Sequence, residues 1–358
     1  MRNSESTSGN DHRSQFWLTA LFERILDRSD SPFFVSVVVF GGPPAVIAAL
    51  YVGLRWSYMT IPFVFSLAAL LVVTSAAPYL IWYYDAGLFP QFRENVRPLL
   101  DDPAVMGDIG RRYHGLLARW WWLPALSASV PIPLLLWFGT PFLREHGLFG
   151  VADPLFWAVA ALLLWIAVIV GIGFLLVAIT FLVIREVAAQ PLEIDPMHPD
   201  GLGGMSAIGH YAIRTTTIFS LGALVLPLQL QYAAAVGPTA TILIYVMGGV
   251  YGLFIAGSFL YPTIKINRKA EAIRSEILNE LREQYYAFKR ATDEPTVGID
   301  VETTDHAAEQ KLNRLQEEYR EYRNVRLYPL QLPVLLRLFT SVLFPLLLLG
   351  VEYTIQSI

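Results

Sequence analysis

The sequence predicts an all-α integral membrane protein with seven transmembrane helices, and three observations carry that prediction. The chain is 54% hydrophobic and only 16% charged, whereas a soluble domain carries about 25% charged residues. Its apolar residues gather into seven blocks, each long enough for the roughly 20 helical residues that a hydrocarbon core about 30 Å thick demands. Its Lys and Arg residues fall 23 on one side of those blocks and two on the other, with Arg337 inside the last block. An excess of basic residues marks the cytoplasmic side. The N-terminus is therefore expected in the cytoplasm and, with an odd number of spans, the C-terminus outside a cell membrane crossed several times.

The elements follow in order. Residues 1–32 are polar and mixed in charge, so no cleavable leader is expected before the first span. Within them, residues 14–27 set Phe16, Trp17, Leu21, Ile25 and Leu26 on one helical face, the pattern of a helix lying in the inner interface. Residues 33–263 hold six spans, at 33–54, 61–83, 120–139, 155–184, 215–235 and 239–261. Between the second and third, Phe92, Val96, Leu99, Leu100, Leu116 and Leu117 stand among charges and predict one or two amphipathic helices. Prolines inside spans (Pro43, Pro44, Pro78, Pro131, Pro133, Pro227 and Pro345) predict kinks or local unwinding. Gly248, Gly252 and Ala256 form a small-residue ridge for close helix approach.

Residues 264–327 predict a cytoplasmic helical hairpin, a stalk made by extensions of the sixth and seventh helices. Ile266, Ala270, Ile273, Ile277, Leu281, Tyr285 and Phe288 are spaced as a packing seam, and Ala308, Leu312, Leu315, Tyr319, Tyr322 and Arg326 repeat the pattern. Between the arms, residues 293–305 contain Pro295, Gly298 and five acids without a base, which predicts a loop. Seams of this length need partner helices, so a homo-oligomer joined around the arms is expected. Residues 328–358 contain the seventh span, at 333–353.

Several function classes are excluded. The chain has no cysteine, hence no disulfide framework, thiolate zinc site or cysteine nucleophile. Its four lysines all lie outside the spans, so none can hold retinal. No nucleotide-binding, serine-hydrolase or zinc-protease motif is present, no Asp or Glu sits near the middle of a span as coupled transporters require, and no inverted repeat is visible. The 27 acids on the cytoplasmic side outnumber its 23 bases, which argues against a nucleic-acid partner. Neither an enzyme nor a cofactor is implied.

Three sets of residues are candidates for function. Asp195, His198, Asp200 and His210 have the chemistry of a divalent-cation site; the competing reading is a tight turn in which Asp200 caps the fifth span. On the last span Arg337, Ser341, Phe344, Leu348 and Glu352 share one face, polar at the inner end, apolar in the middle and acidic at the outer end. Around a symmetry axis that face would give a dewettable constriction and an outer acidic ring, devices of cation channels. Arg337 and Glu352 are equally placed to sit at the two interfaces of an ordinary span. Toward the outer halves, Trp137, Gln229, Tyr232 and Tyr245 are a candidate pocket for a small amphiphilic ligand, although an interfacial aromatic belt explains the rings without one.

The arrangement resembles the seven-transmembrane ion channel superfamily that includes insect odorant and gustatory receptors. The points of likeness are the pre-span helix, short outer loops, a sixth helix continuing deep into the cytoplasm, and a seventh split around Tyr328 to Pro333. The resemblance implies a tetramer anchored by cytoplasmic helices. Four last helices would line a cation pore, and each subunit would hold a ligand pocket in its outer half. A non-conducting membrane scaffold or sensor, recruiting a partner through the hairpin, is the alternative.

Overall fold

A helix that is apolar all round can be positioned in a bundle only by its breaks and its small residues, and this chain is rich in both. The computed structural model describes residues 16–29, 31–192, 198, 204–293 and 301–324. Every regular element among them is helical. After α1 (Trp17–Leu26) come α2 (Gly42–Leu54), α3 (Ile61–Trp82), α4 (Phe89–Val96), α5 (Pro103–Trp120), α6 (Trp122–Ser129), α7 (Pro131–Phe138) and α8 (Thr140–Glu145). Then follow α9 (Pro154–Val187), α10 (Ser206–Ser220), α11 (Leu226–Val236), α12 (Pro238–Asp293) and α13 (Val301–Asn324).

Four helical runs are long and apolar enough to cross a membrane: Ile61–Leu99, Pro103–Phe138, Pro154–Val187 and Ser206–Val236. The pair Pro32–Phe40 and Gly42–Leu54, bent by 41°, makes a fifth if taken as one span. These four to five helices fit a membrane-embedded protein. The expected sixth span falls at the start of α12, where the apolar stretch Ala240–Phe254 is shorter, and residues 333–353 lie outside the described residues.

The prolines act at the breaks. A proline inside a helix lacks an N–H and collides with the carbonyl four residues back. Ahead of Pro43 and Pro44 the first span widens into a π turn, Val35–Phe40, and bends at Gly41. There Ser36 Oγ donates to the Ser75 carbonyl, tying the bend to α3. Pro131 opens α7 and divides the third span, while Pro227 follows a 3-10 turn, Leu221–Val225, that separates α10 from α11. Pro78 stays within α3, which passes into a second π turn, Tyr83–Leu88.

The 34-residue α9 is the centre of the bundle, touching α2, α3, α5, α6, α7, α10 and α12. Its closest approach is to α6, where Gly171 lies against the backbone of Pro124 and Ala125. One apolar cluster fills the short-loop end of the bundle around Tyr51, Phe63, Phe142 and Leu162. A larger one fills the opposite, long-helix end around Phe22, Tyr84, Phe92, Met106, Ile172 and Ile184. The helix α1, expected in the interface, folds onto this second cluster. Phe16, Leu18 and Phe22 are fully buried, and the Phe22 ring stacks on Phe40 at 5.8 Å and Trp82 at 5.1 Å. Of the expected apolar face, Phe16, Trp17, Ile25 and Leu26 pack on the cluster, while Leu21 points outward.

At 1.5 Å per residue the 56-residue α12 is roughly 84 Å long, and α13 packs along its far part. Ala270 and Leu281 of the expected seam are buried, and Ile273 packs on the bundle core. Gln316 Nε2 donates to Tyr285 Oη at 3.0 Å and Lys311 lies 4.8 Å over the Phe288 ring. The helix α13 begins at Val301, inside the stretch expected to be a loop.

Candidate functional site: a cavity within the bundle

Between α3, α9, α10, α11 and α12, and closed on the remaining sides by α2, α6, α7 and α8, lies a cavity of about 940 Å³. No Asp, Glu, Lys or Arg lines it among the described residues. Its walls are mostly Leu, Ile, Val and Phe, with polar groups at the two ends and Ser127 and Tyr251 between them.

At the short-loop end the polar groups are Tyr51, His146, Gln229 and Tyr232. His146 ends α8, where Gly147, at φ 80°, lets the chain reverse as residues with a Cβ rarely can. Its ring lies 4.2 Å from that of Phe63 and 4.3 Å from that of Phe142. Nδ1 is 2.9 Å from the Phe142 carbonyl oxygen, and Tyr51 Oη donates to the His146 carbonyl at 2.7 Å. Tyr232 Oη donates to the Leu135 carbonyl, crossing Gly139, whose missing side chain makes room for the ring. Gln231 Nε2 donates to Ser66 Oγ at 2.8 Å and pins α11 to α3.

At the long-helix end Tyr84 Oη meets Thr180 Oγ1 at 2.8 Å and Tyr211 Oη at 2.6 Å. Thr180 also donates to the Leu176 carbonyl at 3.0 Å, and Phe92 stacks on Tyr211 at 4.1 Å. Tyr84, Leu176 and Thr215 face the cavity. The Tyr84, Thr180 and Tyr211 hydroxyls thus partner one another, as burial without water requires.

Charge is kept beyond the cavity. At the short-loop end Asp153 caps α9, accepting from Leu155 N at 3.0 Å, and pairs with Arg55 at 3.1 Å. Burial opposes ionisation of Asp153, but the Leu155 and Phe149 N–H groups and the Arg55 guanidinium outweigh it and hold the carboxyl below its usual range. At the other end, past the apolar parts of the second and third spans, His114 Nδ1 lies 3.3 Å from the buried Asp85 carboxylate. Glu186 at the end of α9 receives Arg112 at 2.6 Å and Tyr113 Oη at 2.7 Å.

Of the expected pocket residues, Gln229 and Tyr232 line the cavity. Trp137 is 78% exposed on the outside of the bundle, and Tyr245 is likewise off the cavity wall, next to Ile244 and Val246, which are on it. Arg337, Ser341, Phe344, Leu348 and Glu352 lie outside the described residues, as do Asp195 and Asp200. His198 is half-buried near Gly204, and His210 is exposed. No three His, Asp or Glu side chains gather as a metal set among the described residues. Sequence reasoning missed His146, Tyr84, Thr180 and Tyr211. A threonine interrupting the otherwise apolar 155–184 block was the available signal for Thr180. Comparison of the chain with protein-family models, curated proteins and solved structures returns no match.

Proposed function

We propose that the chain is a ligand-gated cation channel, a homotetramer in which Arg337, Ser341, Phe344, Leu348 and Glu352 of the last span face the conduction path. One observation carries the reading. The cavity is walled on one side by Ile244, Val250, Tyr251 and Phe254 of α12, and the same helix continues without a break to Asp293 and packs on α13. Occupancy of the cavity therefore acts on the helix that leads, through the hairpin, to the last span. A ligand preferring one packing of α12 shifts the population toward it, and the Phe344 and Leu348 constriction opens and wets. The charge asymmetry supports a cytoplasmic position for α1 and the hairpin and an outer position for the short-loop end.

Ion flux from liposomes reconstituted with the purified chain tests this. The expected result is a low resting flux that rises when an apolar ligand is added. The exposed flanks of the α12–α13 hairpin favour a second reading, a non-conducting scaffold that recruits a partner. Background flux together with partner capture that depends on residues 264–327 would select it.

A further inference from the structure

The length and chemistry of the cavity point to a definite ligand class: we propose that it is a slot for a long-chain, uncharged amphiphile that enters sideways from the bilayer. This deepens the ligand reading of the same cavity but does not depend on ion conduction.

Length comes first. Phe63 and Tyr84 both line the cavity along one continuous helical run, and 1.5 Å per residue puts them roughly 30 Å apart. That is the thickness of a hydrocarbon core. A cavity of that length takes an extended hydrocarbon chain along the run from Phe63 to Tyr84. A compact ligand would leave most of the wall without contact atoms.

Charge narrows the class further. With no ionised side chain on the wall among the described residues, a carboxylate or phosphate head would be buried without a counter-ion, which is costly. An uncharged hydroxyl or carbonyl is suited to the short-loop end. There Gln229 supplies an amide, and His146 Nε2 has no hydrogen-bond partner among the described residues. The entrance is lateral. Leu135, Val246 and Val250 line the cavity and are 40%, 56% and 60% exposed. Val246 and Val250 lie roughly 12–18 Å along α12 from its start, at mid-membrane depth, so the gap faces lipid rather than water.

The test uses the full chain in lipid nanodiscs and an octadecanol carrying a mid-chain photoreactive group. Labelling is expected on α3 and α9 residues that face the cavity, among them Leu70 and Ile166. Unlabelled 1-alkanols, compared at equal free aqueous concentration, should compete about fourfold better per added methylene until the slot is full, then level off. Ionised octadecanoate and phosphatidylcholine should compete at least about tenfold more weakly. Gly173 faces the cavity with open space, a Cβ there meeting only Phe219 at 3.8 Å. Gly173→Leu should therefore abolish labelling without disturbing the fold, and Val170→Trp serves if that variant does not elute as folded protein. Labelling only of outward residues such as Leu134, competition independent of chain length, or phosphatidylcholine competing as well as the alcohol would each overturn the proposal. Ion flux plays no part in this readout, so chain binding and conduction fail separately.

Discussion

The close approach of α9 to α6 permits a calculation with an internal control. A Cβ added at Gly171 would lie 2.7 Å from both N and Cα of Ala125 and nearer still to the Pro124 carbonyl oxygen, whereas ordinary contact begins at 3.4 Å. All three neighbours are backbone atoms, so no side chain can swing away and the two helices must part by several tenths of an ångström. Such overpacking costs about 1–3 kcal/mol. Two residues on, a Cβ at Gly173 meets nothing nearer than 3.8 Å. Gly171→Ala and Gly173→Ala both gain the roughly 1 kcal/mol by which alanine exceeds glycine in a helix, so their difference isolates the steric effect. Equilibrium unfolding in mixed micelles, followed by tryptophan fluorescence, should find Gly171→Ala less stable than Gly173→Ala by about 1–3 kcal/mol. Equal stability of the two variants would refute the packing argument, and with it the position of α6 as one wall of the cavity.

Other consequences are as direct. Tyr84→Phe should lower stability by about 1 kcal/mol in the same assay, because Tyr211 loses its shortest partner while Thr180 keeps the Leu176 carbonyl. Asp153→Ala removes the cap of α9 and should cost about 1 kcal/mol, whereas Asp153→Asn, which still caps, should cost less.

What could be read from residues alone follows from what hydropathy measures. Blocks such as 155–184 and 61–83 announce their solvent and their length, and α9 and α3 begin within a residue of those limits. Proline positions foretold the breaks at Gly41, at α7 and before α11. The π turns were not legible, because widening a helix by one residue leaves no compositional mark. The inward face of α1 was legible in part: Phe16, Trp17, Ile25 and Leu26 pack on the bundle core, but Leu18 and Phe22, which meets Phe40 and Trp82, take the place expected of Leu21. The candidate pocket was half legible. Gln229 stands out as an amide in an apolar block, but Trp137 and Tyr245 are as plausible on a lipid-facing surface as on a cavity wall. Tyr84 and Tyr211 sit at span ends, where an aromatic belt accounts for any tyrosine, so their meeting with Thr180 depends on tertiary packing that periodicity does not carry.

The central claim is that the last span lines a gated cation path, and planar bilayer recording of Leu348→Ser beside the unaltered chain tests it most directly. A polar residue at the constriction favours wetting, so the substituted protein should conduct cations at rest while the unaltered chain stays closed until ligand is added. Bilayers that remain ion-tight with well-inserted Leu348→Ser protein would contradict the claim.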